Sequence, residues 1–591
     1  MKYWFLIIAL GIAGCAGPRM ASEQVSAGDA QFNRVADEAL NGYLAWRPLL
    51  AVSLGLHEYD GKAPDFSAAS VEAERQRLKG DIRRLQALNR ASLSSTASYD
   101  YRILLAGLQG ELFRFEDLAS YTLNPMTYGG ALDVNTYLKR DFAPFDSRVR
   151  SIVVILGETP RLMAAARANL ADVLPKPYVE TAIEVTKGSA DFLAKDLVTA
   201  VTKDLKDPSL MATFTAVNDR AIMELRDYAK YLETEKLPKA NAPYALGRDK
   251  FQKMLREQEL ISLTPERVLE IGTTELRRAQ ELFAETARKI DPNHPAVEVF
   301  KAIQKDHPTA DGLITDVSKH LELIRQFLVD HHIVTLPSSV RAKVEPTPQY
   351  ERATSFASMD SPGPFEKKAT EAYYYVTPTE PEWPAQQKEE WLTAFNYYTT
   401  DAVSIHEAYP GHYTQFLHLQ ASPATKIEKI FGSYAFIEGW AHYTEQMMME
   451  EGYGAEKFVG GKPEPSVQAA KYRLAQLDEA LLRLCRLCVS IKTHCEGMDV
   501  EAATRFFQDN CYYEAKPAHD EAMRGTFDPG YLFYTVGKLQ ILKLREDYRR
   551  QEGAAFSLKR FHDAFLEHGM PPVRLLRELL LTDKSSWEQI L

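Results

Sequence analysis

Apolar residues recur at three- and four-residue spacing, with charged residues between them, from Ala30 to about Val329. That period marks one face of an α-helix. It is clearest over Ala68–Leu88, Arg161–Val173, Ala182–Ala200, Thr264–Ile290 and Thr309–Val329. Turn signals fall between these runs, at Lys206-Asp207-Pro208, Asp291-Pro292-Asn293 and Asp306-His307-Pro308. The character changes between 333 and 385, where proline and glycine are dense. Short strands are predicted there at Ile333–Leu336, Val340–Val344 and Glu371–Val376. Helical spacing resumes near Glu389 and runs to the C-terminus. The pattern predicts a mainly α protein with a helical N-terminal region, 29–332, and a C-terminal region, 333–591, joined in one body. The latter divides into a small strand insert, 333–385, and a helical part, 386–591.

The first residues break the pattern. After Met1-Lys2-Tyr3 an apolar and glycine run extends from Trp4 to Gly17, interrupted only by Cys15. It is too short for a membrane-spanning helix, which needs about 20 residues, and suits the apolar stretch of a signal peptide. Ile12-Ala13-Gly14-Cys15 resembles the bacterial lipobox, in which the cysteine is lipidated and becomes the new N-terminus. The resemblance implies a signal peptide, 1–14, and a tether, 15–28. It also implies an exported lipoprotein touching the membrane only through its N-terminal lipid. With Ala16 rather than Asp after the cysteine, the periplasmic face of the outer membrane is the expected location.

Composition is that of an ordinary globular chain: 591 residues, 45% hydrophobic and 26% charged. A net charge of −11 argues against nucleic acid as a partner, because phosphate binding needs clustered Lys and Arg. Oligomeric state is not legible. Five cysteines cannot build a disulfide framework in a chain of this length. Cys485 and Cys488 are spaced like a redox or zinc pair, yet they lie in the amphipathic run Leu481–Val489. Buried thiols are the expectation there, with a disulfide as the alternative.

The candidate chemistry lies in His406-Glu407-Ala408-Tyr409-Pro410-Gly411-His412. Two imidazoles, with a carboxylate beside the first, suit a zinc peptidase: two ligands, and a glutamate that activates the attacking water. In the common HExxH spacing the histidines lie four apart, about 40° from each other around a helix. Here they are six apart, which is about 120°. On a regular helix they cannot share an ion. Pro410-Gly411 is therefore expected to form a loop or widened turn that returns His412 to His406. Further on, Glu438, His442 and Glu445 fall at i, i+4 and i+7, on one helix face. Burying them costs free energy unless they meet a cation or each other. Glu438 as third ligand leaves a fourth position open, as a catalytic zinc requires.

His406–His412 with Gln415, followed by Glu438-Gly439-Trp440-Ala441-x-Tyr443-x-Glu445, resembles the DUF885 family of bacterial proteins, many of them lipoproteins. The second segment is also similar to the third-ligand stretch of the M1 aminopeptidases. Together these resemblances imply a gluzincin-like metallopeptidase: a helical metal site beside a small β-sheet. They imply one Zn²⁺ per chain on His406, His412 and Glu438, a peptide substrate, and Glu407 as general base. A later stretch, Pro529-Gly530-Tyr531…Tyr534-x-x-Gly537-Lys538, also matches the family pattern, with Tyr531 where Gln is expected. This makes Tyr534 the candidate oxyanion donor and Arg524 a candidate for a substrate carboxylate. Glu445, His442 and His494 are expected to support the ligands from behind, though Ser490 stands where the pattern before His494 calls for Asp. Tyr374, within Tyr373–Tyr375, is expected to contact substrate if that run is an edge strand; a packed aromatic strand is the alternative. Two other functions fit the same residues. One is a non-catalytic surface lipoprotein with a structural or vestigial metal site; the other is a zinc amidase acting on cell-wall peptides. A structural site has no need of Glu407.

Overall fold

The computed structural model describes residues 26–348, 352, 355–455, 457–459 and 462–591. Cys15 and the signal segment lie outside them. Helices dominate, as the spacing predicts, and they assemble around three hydrophobic cores.

The first core is built by α1 (Ala27–Trp46), α2 (Ala68–Gln86) and α3 (Ser95–Glu116), which bury Phe32, Leu40, Leu78, Leu85, Leu104 and Leu108. The second joins α4 (Phe145–Gly157), α5 (Lys176–Phe192) and α6 (Pro208–Tyr231) through Val149, Ile152, Val179, Phe214 and Tyr228. Capping explains where several of these helices begin. Ser67 accepts from Ser70 N–H at the start of α2, and Asp207 from Ser209 and Leu210 at the start of α6. Each such cap is worth about 1 kcal/mol.

The third core does not respect the predicted boundary at 332/333. Helix α7 (Pro265–Ile290) packs along α12 (Val467–Cys495), and Leu276, Phe283, Ile324 and Leu328 share one core with Trp440, Leu481 and Phe565. The 29–332 region is thus two units, and its last stretch, with α8 (Leu313–Asp330), belongs to the C-terminal body. Local periodicity shows which face of a helix is buried, not which partner buries it.

The small sheet has the order β1–β3–β2, with β1 (Ala342–Pro346) parallel and β2 (Ala357–Asp360) antiparallel to β3 (Ala372–Val376). The strand predicted at Ile333–Leu336 does not form. Side chains take its backbone groups: His562 and His418 donate to the carbonyls of Ile333 and Thr335, at 2.7 and 2.8 Å, and Asp563 accepts from Thr335 N–H at 2.8 Å. Tyr374 is corrected as well. It sits on the central strand, fully buried, with its hydroxyl 3.1 Å from Ser404 Oγ, so it packs instead of touching substrate. The edge beside the candidate site is β2.

The helices that carry the site follow: α9 (Tyr397–Glu407), α10 (His412–Ala421), α11 (Tyr434–Glu450), α12, α13 (Ala515–Phe527), α14 (Phe533–Glu552) and α15 (Leu558–Leu566). Cys485, Cys488 and Cys511 are buried and Cys495 half-buried, all as free thiols. No described helix is long and apolar enough to cross a membrane.

Candidate metal centre

Helix α9 starts on Asn396, whose side chain accepts from Thr399 N–H, and ends at Glu407. The chain then leaves the helix for Ala408–Gly411 and re-enters one at His412. Gly411 donates to the Ile405 carbonyl at 3.0 Å, and the Pro410 carbonyl accepts from Trp440 Nε1 at 2.9 Å. This short excursion absorbs the angular mismatch of the six-residue spacing. The rings of His406 and His412 end 4.9 Å apart and perpendicular. The turn is so tight that a Cβ on Gly411 would lie 1.8 Å from the His406 carbonyl oxygen.

Helix α11 brings up the third group. Glu438 Oε2 lies 3.5 Å from His406 Nε2 and 3.6 Å from His412 Nε2. With ligand bonds of about 2.1 Å, neighbouring donors in a tetrahedral set stand ~3.4 Å apart. The donor atoms of His406, His412 and Glu438 all lie within 4.8 Å of one another. Spacing and donor types both fit a divalent cation of the zinc type.

Behind His406, Glu445 Oε1 accepts from Nδ1 at 2.7 Å, which leaves Nε2 to face Glu438. Glu445 Oε2 also meets His442 Nδ1 at 3.2 Å, and Arg483 Nη2 lies 3.8 Å from Oε1. Burial alone would lower the His406 pKa, but the Glu438 and Glu445 carboxylates outweigh it and hold the group up at about 9. Burial would raise the Glu438 pKa, but both histidines together pull it well below the usual carboxylate range. Arg483 and His442 do the same for Glu445. Burial and the Lys538 ammonium push His442 down to about 3, so it stays neutral. His412 lacks a carboxylate of this kind: its Nδ1 is buried with no hydrogen-bond partner among the described residues. Its position is set by backbone, through the Gly411 turn.

Glu407 is half-buried beside this cluster, and its Oε2 accepts from Met359 N–H at 3.1 Å. Tyr534 stacks over His406 with ring centroids 6.4 Å apart. Burial and the nearby Glu438 charge raise its hydroxyl pKa, so it remains a donor. Arg524 lies over the same tyrosine, 5.9 Å from the ring centroid. Helices α11 and α14 cross through glycines: a Cβ on Gly537 would lie 1.8 Å from the Ala435 carbonyl oxygen, and one on Gly439 would lie 2.6 Å from Gly537 Cα. The expectation for His494 is corrected. Its Nε2 donates to the Gly525 carbonyl at 2.8 Å and its Nδ1 accepts from Leu246 N–H at 3.3 Å, so both nitrogens serve backbone.

Residues 48–580 match the family described as a bacterial protein of unknown function, DUF885. The chain belongs to the DUF885 family. Two solved structures resemble this DUF885 chain. A candidate lipoprotein of unknown function from Shewanella oneidensis is 24% identical, with a TM-score of 0.75 over 93% of this chain and 99% of that one. A candidate lipoprotein from Colwellia psychrerythraea is 18% identical, with a TM-score of 0.77 over 96% and 100%. At these identities the likeness concerns the fold. No curated protein matches the chain.

Sequence reasoning missed two contributors. Glu259, fully buried, holds the start of α11 in this DUF885 chain by accepting from Ser433 Oγ and from Ala435 N–H, the latter at 3.2 Å. No motif marks it. Desolvation raises its pKa to about 7. Because the folded pKa lies above the unfolded one, its contribution to stability is complete below about pH 4.5 and is lost as pH rises through about 7. The loss amounts to roughly 3 kcal/mol. Glu259→Gln is expected to flatten the fall in stability between these two pH values, as measured by denaturant titration at stepped pH. The other contributor is β2, whose Ala-Ser-Met-Asp sequence carries no strand signal.

Proposed function

We propose that this protein is a zinc-dependent metallopeptidase, carried at the membrane by a lipid on Cys15. The observation that carries the reading is the His406–His412–Glu438 cluster with Glu407 beside it but outside it. Two imidazoles and one carboxylate leave a coordination position open.

A bound Zn²⁺ supplies Lewis acidity, polarising the scissile carbonyl and making water acidic near neutral pH. The chain's own residues do the rest. Glu407 Oε accepts a proton from the attacking water, whose oxygen bonds to the carbonyl carbon. The amide C–N bond then breaks, and Glu407 returns the proton to the leaving nitrogen. Tyr534 donates its O–H to the oxygen that gains negative charge. Glu445 holds His406 in the tautomer that keeps Nε2 free.

Strand β2 presents the peptide. In its register with β3, Ser358 and Asp360 face the sheet, so Ala357 and Met359 turn their N–H and C=O outward. Met359 N–H already meets Glu407. A 1150 Å³ groove runs from Ser358, Met359 and Asp360 to Gly129 and Phe192 in the second unit. An extended peptide added along this edge passes Glu407.

Elemental analysis of the purified full chain, followed by a peptide-library digest read by mass spectrometry, tests the reading. About one zinc per chain and zinc-dependent cleavage are expected; intact protein that takes up no metal overturns it. Tyr534→Phe is expected to lower kcat by ~10²–10³ while leaving KM near its original value. A kcat within about twofold of the parent removes Tyr534 from the oxyanion role.

A further inference from the structure

We infer that the arginine beside the metal centre makes this protein an exopeptidase of the carboxypeptidase type, which grips the free C-terminal carboxylate of its substrate and releases one or two residues. The inference rests on the peptidase reading and names the class of substrate that the same site takes.

Two guanidinium groups flank Tyr534: Arg486 lies 5.2 Å and Arg524 5.9 Å from its ring centroid. They are held differently. Arg486 is buried and spends its fork on Glu521, with two bonds of 2.7 Å to the two carboxylate oxygens. That bidentate pairing neutralises Arg486, and its burial leaves little surface for a further carboxylate. Arg524 meets a single carboxylate oxygen. Its Nε and Nη2 both donate to Asp528 Oδ2, at 3.1 and 2.9 Å, and Nη2 also reaches the Tyr434 hydroxyl at 3.2 Å. The guanidinium also hydrogen-bonds the Tyr534 hydroxyl, and about a third of the side chain, 32%, is exposed. A partly exposed guanidinium with five N–H donors for four such contacts, next to two tyrosine hydroxyls, is a carboxylate receptor.

Its distance from the metal centre limits what can fit. Tyr434, which touches Arg524, precedes the ligand Glu438 by four residues on α11. Tyr534 spans the same gap: its ring centroid lies 6.4 Å from that of His406 and 5.9 Å from the Arg524 guanidinium carbon, an outer limit of about 12 Å. A residue in an extended peptide covers ~3.3–3.6 Å, so one or two residues fit between the scissile carbonyl and the guanidinium. On the other side Met359 N–H joins Glu407 to β2, and the groove lined by Ser358, Met359 and Asp360 has room for the rest of the peptide. A site open along one arm and closed by a cation at the other trims ends.

The test is a set of matched peptides that differ only in carrying a free C-terminal carboxylate or a C-terminal amide. They are given to the zinc-loaded full chain, with products identified by mass spectrometry. The expected result is release of one or two C-terminal residues from the acids, with kcat/KM for the amides lower by roughly 10- to 100-fold. Arg524→Gln is expected to raise KM for the acids toward that of the amides, while one bound zinc per chain and an unchanged denaturation midpoint report correct folding. Arg524→Lys, which keeps the charge and loses the fork, falls between the two. Equal cleavage of acids and amides, or products cut at internal or N-terminal positions, overturns the inference and leaves the peptidase reading standing. Absence of cleavage of any peptide by zinc-loaded protein overturns both.

Discussion

Glu407→Gln is expected to retain one bound metal per chain and to lose peptide hydrolysis by roughly 10²- to 10⁴-fold. General-base catalysis contributes roughly 10²–10⁴ in rate, and an amide oxygen cannot take the proton. The substitution is nearly isosteric. A glutamine oxygen still accepts from Met359 N–H, so the local link between α9 and β2 persists. Nor does it remove a ligand, since the three donor atoms come from His406, His412 and Glu438. Metal content by elemental analysis and kcat by a fixed-peptide assay separate the two properties. Full activity in this variant removes the mechanism, whatever the metal content.

The second large effect concerns the backbone. Gly411→Ala is expected to cost about 3 kcal/mol or more of stability and to strip the metal. The φ of −69° at Gly411 is one that any residue adopts. The obstacle is contact: the added carbon falls 1.8 Å from the His406 carbonyl oxygen and 2.4 Å from that of Ile405. Both are main-chain atoms at the end of α9, so neither can rotate away. Relief requires the turn to open, which carries His412 off. Gly80→Ala is the natural comparison, because nothing stands within 4 Å of the added carbon there. In the interior of α2 that change is expected to stabilise by about 0.5–1 kcal/mol. Denaturant titrations of both variants, with metal content measured alongside, give the contrast. Unchanged stability and full metal content in Gly411→Ala refute the assignment of His412 positioning to this turn.

The helices and the His–Glu cluster are legible because their signals are local. Heptad-scale spacing marks a buried helix face, and His406, Glu407 and His412 declare their chemistry by type and order. Even the departure from helical geometry could be read, since 120° cannot be spanned without an excursion and Pro410-Gly411 supplies the means. Illegible features depend on residues distant in sequence. Ile333–Leu336 has strand composition, but His418, His562 and Asp563 take its backbone groups. Ala357–Asp360 has none, and β3 recruits it. Tyr374 looks the same on a central strand as on an edge, and only pairing order distinguishes them. His494 was expected near the ligands; its two backbone partners come from Leu246 and Gly525.

The crossing of α11 and α14 has a mechanical consequence. Two helices that meet main chain to main chain have no rotamers to exchange at the contact. The spacing between the Glu438 carboxylate and the Tyr534 hydroxyl therefore behaves as a fixed gauge. Breathing of the protein is expected to leave it unchanged, and any widening falls to the groove beside β2, whose lining from α5 and its neighbours belongs to a different hydrophobic core. The side lined by α5 can yield while the side that carries Glu438 and Tyr534 holds its dimensions.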